Sequence, residues 1–181
     1  MRVIAGSAGG LRLDTVPGNA TRPTLDRVRE SLFAMLAPRL PDARVLDLYA
    51  GTGALGIEAL SRGAARCCFV DGEPRALAVL RENLRRTDLG DRADVLRLRL
   101  PSALQRLRDG GPYQLALLDP PYAAAPWEAL LAGLRELLEP DGLAVCEHAC
   151  RTPPGDQPGW SMVRRAQYGQ TCVSILRRDG G

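Results

Sequence analysis

Short apolar runs alternate with helix-like segments between residues 44 and 147, and this alternation limits the possible folds more than any other feature of the sequence. The runs have the length of buried strands, and the segments between them have apolar residues at helical spacing. Strands joined by helices through short connections pair in parallel and are covered on both faces. The sequence therefore predicts an α/β fold with a mostly parallel sheet. Predicted strands cover residues 44–49, 66–71, 93–98, 114–119 and 143–147, predicted helices 56–62, 74–86, 102–108 and 126–138, and a closing antiparallel pair 161–167 and 171–177.

Residues 1–40 are predicted to form an extension of the domain made by residues 41–181. A glycine-rich turn within residues 2–16 predicts a β-hairpin, and apolar residues at helical spacing predict a helix from Thr24. The extension carries six arginines against three acidic residues, whereas the remainder carries 18 of each, and the chain has no lysine. A basic extension on a neutral body is typical of a nucleic-acid-binding arm. Solvated surface charge is an equal alternative on charge alone.

The cysteines, the single histidine and the apolar runs exclude several classes of protein. Five cysteines without C-x-x-C spacing argue against a disulfide framework or a structural zinc site. His148 is the only histidine and is expected to be an ordinary strand-end residue, so no metal site is predicted. The chain has no apolar run of about 18 residues and no signal peptide, which predicts a cytoplasmic protein without a membrane contact. Because no heptad repeat is visible, we expect a monomer. Four cysteines in apolar stretches are expected to be small core residues, and the fifth has no assigned role: Cys67, Cys68, Cys146 and Cys172, and then Cys150.

The first predicted strand runs into the glycine-rich segment DLYAGTGALG, which indicates a nucleoside-containing cofactor. Asp71 ends the second strand, where its carboxylate could accept both ribose hydroxyls. The glycines also fit the dinucleotide pattern G-x-G-x-x-G. However, Asp47 lies four residues before the first glycine, where it would repel a pyrophosphate and suit the cationic amino-acid end of S-adenosylmethionine. The candidate cofactor residues are Asp47, Tyr49, Ala50, Gly51, Thr52, Gly53, Asp71 and Gly72.

The fourth predicted strand ends in Asp119, Pro120, Pro121 and Tyr122, a stiff turn with an acid and an aromatic residue at its two ends. An exocyclic base amine is a poor nucleophile because its lone pair is delocalised into the ring. A carboxylate and a rigid carbonyl that accept its two N–H groups would direct that lone pair towards a methyl donor. Asp119 would also border the donor and could take up the released proton, and Tyr122 could stack on a flipped base.

Six motifs spread almost from end to end along the chain: RVIAGSAGGLRL, TRPTLDRVRESLF, DLYAGTGALGIEALSRGA, FVD, LLDPPY and YGQT. Their combination resembles the family of bacterial small-subunit ribosomal RNA (guanine-N2)-methyltransferases, the RsmD type. The resemblance implies a Rossmann-like class I methyltransferase fold with S-adenosylmethionine as the donor. It also implies, as the target, a guanine N2 of 16S rRNA within an assembled or assembling small ribosomal subunit.

The resemblance also implies roles for residues of the extension. The hairpin, with Arg2 and Arg12, would bind RNA, and Arg27 and Arg29 would border the site, where they could hold RNA phosphate or a carboxylate. The segment that closes over the donor would contain Arg22, Pro23 and Thr24.

The third strand departs from the pattern of many class members, because no acid follows it to accept from the adenine amine. Ser102 lies near the expected place, and adenine could be held by its hydroxyl, by backbone groups or by apolar contact. Two alternatives to the guanine-N2 assignment remain. One is an adenine-N6 amino-methyltransferase acting on DNA or RNA, and the other is a non-catalytic rRNA-binding assembly factor.

Overall fold

Seven strands form one sheet in a computed structural model of the protein, which describes residues 1–16, 23–121 and 125–180. The strands are β1 Arg44–Leu48, β2 Arg66–Asp71, β3 Ala93–Arg97, β4 Tyr113–Leu118, β5 Leu138–Ala149, β6 Trp160–Tyr168 and β7 Thr171–Arg178. The α-helices are α1 Pro23–Leu36, α2 Ala54–Ser61, α3 Pro74–Thr87 and α4 Trp127–Leu134. Short 3-10 helices cover Ala37–Arg39, Gly90–Arg92 and Leu104–Gly110.

The sheet has the order β3-β2-β1-β4-β5-β7-β6, with β1 to β5 parallel and β7 antiparallel to both of its neighbours. The predicted α/β fold with a closing antiparallel pair is confirmed. The strand order reverses between β1 and β4, and open α/β sheets bind ligands outside the carboxyl ends of the strands at such a point. A ligand site is therefore expected among the residues that follow β1, β2 and β4.

Alternating residues of each strand pack on opposite faces of the sheet. Val45 belongs to a buried cluster with residues of α1, α2 and α3, whereas Leu46 belongs to a second cluster with α4 and the 3-10 helix at Leu104–Gly110. The continuous burial of the central strands follows from helices on both faces. Residues 1–16 contribute Val3, Ala8 and Leu13 to the first cluster, so the predicted extension shares the core of the main domain.

The boundary between α4 and β5 differs from the prediction. The helix ends at Leu134 and not at residue 138, and Pro140 and Gly142 lie inside β5. The register between β4 and β5 shifts in this region, and Asp141 has a φ of 63°. A proline is tolerated in a strand at such an irregularity, because no regular ladder hydrogen bond is lost there.

The N-terminal hairpin has a single antiparallel bridge, between Arg2 and Arg12, and not the two extended strands that were predicted. It packs on α2 through buried polar groups. The fully buried Glu58 accepts hydrogen bonds from the backbone N–H of Ile4 (2.7 Å) and Ala5 (3.1 Å). Gly6 has a φ of +87°, and a Cβ there would lie 1.9 Å from a backbone oxygen of α2. The hairpin is thus held by contacts that only a glycine permits.

One disulfide joins Cys150 to Cys172. Cys172 is buried, as expected for a core cysteine, but it is disulfide-bonded, and its partner is Cys150, to which no role was assigned. The pairing of β5 with β7 brings the two residues together, since Ala149 lies opposite Thr171. No sequence motif predicts this pair, because the two cysteines are 22 positions apart and become neighbours only when β5 pairs with β7.

Within the described ranges, none of the helices has the length and apolar character needed to cross a membrane.

Candidate active site

The loop after β1, residues 49–53, which we call the glycine loop, is supported by Asp47. Its side chain is 2% exposed, and its Oδ2 accepts a hydrogen bond from the backbone N–H of Gly56 (2.9 Å), in the first turn of α2. A Cβ on Gly56 would lie 2.3 Å from Phe69 and 2.8 Å from the Asp47 carboxylate, so glycine is required for this close approach. Burial, with a smaller contribution from Asp71, raises the pKa of Asp47 to about 7. Asp47 therefore supports the loop from beneath, and it is not among the described residues that line the neighbouring cavities.

Asp71 links the ends of β1 and β2. Its Oδ2 accepts from the backbone N–H of Gly51 (2.8 Å), and its Oδ1 accepts from that of Glu73 (2.8 Å). A carboxylate has about four acceptor positions, so each oxygen keeps one for another donor. Gly51 has a φ of 56°, and nothing lies within 4 Å of the position that a Cβ would take there. The carboxylate and the open space beside the loop suit a vicinal diol such as that of ribose.

A cavity of about 290 Å³ lies between the loop, α1 and the ends of β4 and β5. We call it the donor cavity, after the methyl donor that the sequence predicts next to this loop. Its described lining residues are Met1, Thr15, Val16, Val28, Arg29, Leu32, Tyr49, Ala50, Gly51, Thr52, Ala54, Leu55, Ala76, Asp119 and Glu147.

A second cavity of about 280 Å³ shares Tyr49 with the donor cavity, and we call it the adenine cavity after the group that the sequence predicts beside β3. Its described lining residues are Tyr49, Asp71, Gly72, Leu98, Arg99 and Leu100. Ser102, which was expected to border adenine, is exposed, and its hydroxyl donates to the carbonyl of Arg99 (3.2 Å). Leu98, Arg99 and Leu100 therefore form the wall where many class members have an acid.

Asp119 and Glu147 lie side by side in the wall of the donor cavity, together with Tyr49. The residues immediately before these three are paired with one another across β1, β4 and β5. Neighbouring strands are about 4.8 Å apart, so the three lie at one level at adjacent positions. Asp119 is exposed to the cavity, while the protein packed around its carboxyl group removes part of the water that would solvate it. The loss of this water raises the pKa of Asp119 well above its usual range, and the charges of Glu147 and Asp47 raise it further.

Arg29 forms part of the opposite wall, from α1. It is 4% exposed, and its Nη2 donates to the carbonyl of Arg2 and to Asp26 (3.1 Å). Its Nε has no hydrogen-bond partner among the described residues. Burial lowers the pKa of Arg29, while Glu58 and Asp26 oppose that shift. A guanidinium this deeply buried is not accessible to RNA phosphate. Of the two ligands expected for Arg29, only a carboxylate inside the cavity is therefore compatible with its position.

The remaining arginines of the extension lie on the surface. Arg2 and Arg12 are exposed and opposite each other in the hairpin, and neither forms an ion pair with a described residue. Arg27 is also exposed. Their positions leave them accessible to a polyanion.

Several predicted site residues lie partly or wholly outside the description. Arg22 and Tyr122 are outside the described residues. Pro23 and Thr24 begin the backbone of α1, and their side chains are not described. Of the proline pair, Pro120 is buried and Pro121 is exposed.

Two residues of the site were missed because their role depends on tertiary contacts. Glu147 precedes the only histidine, but no sequence pattern aligned it with Asp119. Asn83, fully buried in α3, donates to the carbonyls of Thr52 (3.0 Å) and Asp14 (3.1 Å), which ties the hairpin to the glycine loop. His148 itself is 2% exposed, with its ring nitrogens 2.8 and 2.9 Å from described protein oxygens, as fits a structural residue.

Comparison with known proteins relates the whole chain to one family. The model of the family described as conserved hypothetical protein 95 matches residues 1–177. YlbH of Bacillus subtilis, whose name gives rRNA methyltransferase as a provisional assignment, is 42% identical over 99% of this chain and 100% of its own. Ribosomal RNA small subunit methyltransferase D of Escherichia coli strain K12 is 33% identical over 99% of this chain and 90% of its own.

A solved structure gives the same relationship. That of yhhF from Escherichia coli, described provisionally as a methyltransferase, has a TM-score of 0.86 and 31% identity, and covers 100% of this chain and 99% of that one. The predicted class I methyltransferase fold and enzyme class are confirmed by these likenesses. The chain belongs to the family of conserved hypothetical protein 95, which is the methyltransferase family that its motifs resemble.

Proposed function

We propose that the protein transfers a methyl group from S-adenosylmethionine to the exocyclic N2 of a guanine in 16S rRNA, within an assembled or assembling small ribosomal subunit in the cytoplasm. The observation that carries the proposal is the placement of Asp119 in the wall of a cavity that begins at the glycine loop. The same cavity thus has room for the methyl donor and provides a carboxylate that could accept a hydrogen bond from an amine. The name of the Escherichia coli relative supports the RNA target.

The residues of the two cavities fit the parts of S-adenosylmethionine. Asp71 would accept the ribose hydroxyls, and Leu98 and Leu100 would contact adenine. Arg29 would bind the carboxylate of the methionine part, because its guanidinium lines the donor cavity and its Nε is unpartnered among the described residues. When bound, the donor supplies a methyl group on a positively charged sulfur. A positive charge in the cavity would also favour the ionised form of Asp119.

Asp119 would act on the amine of the target base. In the transfer, the guanine N2 forms a bond to the methyl carbon while the carbon–sulfur bond breaks and its electron pair stays on sulfur. The methylated nitrogen must then lose a proton. Asp119 would first hold one N–H in place and then take up this proton, and the raised proton affinity of its carboxylate suits the second step. Tyr122 as a stacking residue remains a prediction.

The test uses tritiated S-adenosylmethionine and small ribosomal subunits from cells that lack the endogenous enzyme. N2-methylguanosine at one position is the expected product. Label in adenosine would favour the adenine-N6 alternative, and donor binding without any label would favour a non-catalytic assembly factor.

Asp119→Ala should reduce transfer at least about 100-fold and leave the dissociation constant of the donor within about tenfold of wild type. The exposed Asp109→Ala is the matched control and should transfer normally. Loss of donor binding in Asp119→Ala would contradict the role assigned to Asp119.

A further inference from the structure

Arginines are concentrated near the C-terminal end of the chain, although residues 41–181 as a whole are neutral. Residues 148–178 carry five arginines against one acidic residue, whereas residues 41–147 carry 13 arginines against 16 acidic residues. The five arginines are Arg151, Arg164, Arg165, Arg177 and Arg178. The neutral total of the main domain therefore conceals a second basic region, in addition to the N-terminal extension.

This basic region includes β6, which forms one edge of the sheet. Residues 162–165 of β6 are all exposed, and the alternation of a strand puts Arg164 and Arg165 on its opposite faces. Arg165 donates a hydrogen bond to the hydroxyl of Ser174 (3.2 Å). Neither arginine forms an ion pair with a described residue, so both charges are available to an anionic partner.

Tyr168, the last residue of β6, connects this edge of the sheet to the donor cavity. Its hydroxyl is hydrogen-bonded to the hydroxyl of Ser31 in α1 (2.5 Å). Ser31 lies between Arg29 and Leu32 of that helix, which both line the donor cavity. Arg164 is on the same face of β6 as Tyr168, about 14 Å away along the strand. An RNA whose target base enters the donor cavity would therefore have its neighbouring nucleotides within reach of β6.

Arg151 lies at the same end of the sheet as Tyr168. The backbone N–H of the preceding residue, Cys150, donates to the carbonyl of Gln170 (3.0 Å), in the turn between β6 and β7. Arg151 is exposed and, like the arginines of β6, forms no ion pair within the described part of the chain. We use the name edge surface for Arg151, Arg164 and Arg165.

We propose that the edge surface binds phosphates of 16S rRNA next to the target nucleotide. This inference rests on the proposed function and adds a position for the RNA backbone on the protein. The planar guanidinium group matches the geometry of phosphate oxygens, which favours arginine for such contacts. Phosphate contacts fix the position and orientation of a nucleic acid without reading its sequence. Because the sheet holds β6 and the end of β5, these contacts would set the RNA relative to Asp119.

The test measures binding of 16S rRNA by the double variant Arg151→Gln, Arg164→Gln in filter-binding titrations between about 50 and 200 mM salt. The loss of two phosphate contacts should weaken binding at least about fivefold at about 100 mM salt and lower the slope of log affinity against log salt by about 1.5 to 2. The double variant Arg81→Gln, Arg106→Gln removes the same charge from exposed positions outside β6 and is the matched control. It should keep the wild-type slope.

Adding Arg165→Gln to the double variant should lower the slope by about one more. An unchanged slope in the double variant would overturn the inference. Charged side chains at a sheet edge can also prevent pairing with another chain. Association of the double variant in size-exclusion chromatography, together with an unchanged slope, would assign that role to the arginines instead.

Methyl transfer separates this inference from the proposed function. The double variant should raise KM for small ribosomal subunits at least about fivefold and leave kcat within about twofold of wild type, because the lost contacts position the RNA and take no part in the reaction. Normal methylation with an unchanged salt slope would refute the edge surface alone. A reduced slope in a protein that forms no N2-methylguanosine would support the edge surface and refute the proposed function.

Discussion

Asp47 provides a sharp test of how the glycine loop is supported. Its carboxyl group has a pKa of about 7 in the folded protein, against an ordinary value of 3.8, because it is buried under the loop with one backbone hydrogen bond. A carboxyl group whose pKa is higher in the folded than in the unfolded state makes the native protein bind more protons. Its contribution therefore lowers the free energy of unfolding as the pH rises from about 3.8 to about 7. Asp47→Asn removes this titration and keeps an oxygen that can accept from Gly56.

The size of the effect follows from the two pKa values. Full ionisation of Asp47 costs about 4 kcal/mol of stability above pH 7, and about 3 kcal/mol of this develops between pH 5 and pH 8. The free energy of unfolding of Asp47→Asn, relative to wild type, should therefore rise by about 3 kcal/mol over that interval. Other acids titrate in both proteins, so their contributions cancel in the difference.

Urea denaturation of both proteins at pH 5, 6, 7 and 8, followed by circular dichroism, measures this difference. Asp42→Asn is the control, because Asp42 is exposed and its neutralisation should leave the pH dependence of the free energy of unfolding unchanged. Parallel curves for wild type and Asp47→Asn would refute the reasoning, since they would mean that the carboxyl group titrates alike in the folded and unfolded chain.

Two further predictions concern the N-terminal hairpin. Gly6→Ala should lower the free energy of unfolding by about 1–3 kcal/mol more than Gly10→Ala does. Both glycines have positive φ, but only a Cβ on Gly6 would meet the backbone of α2. Equal losses of stability in urea denaturation would mean that the contact between Gly6 and α2 is not tight. Replacing Arg2 and Arg12 together by Gln should weaken RNA binding and reduce the slope of log affinity against log salt by about two, whereas Arg106→Gln serves as an exposed control. An unchanged slope in a filter-binding titration would mean that the hairpin does not contact phosphates.

Local sequence patterns determined most of the fold and the position of the site. Strand and helix periodicity places β1 to β4, α2 and α3 within two residues of their observed bounds, because burial of an apolar face is a local demand. The topology rule for parallel sheets then places Gly51, Asp71 and Asp119 at one edge of the sheet. The error at the start of β5 arose because Pro140 ends a helix in most contexts, whereas here a register shift in the sheet accommodates it.

The tertiary structure alone decided which side chains meet. The register across β1, β4 and β5 puts Glu147 beside Asp119 although 28 positions separate them, and the pairing of β5 with β7 joins Cys150 to Cys172. Tertiary packing likewise decided that Arg29, which was expected to border the site, is buried in the cavity wall, whereas Arg27 is exposed. Periodicity reports the face on which a residue lies, but not its neighbour on the next strand, and ligand chemistry depends on those neighbours.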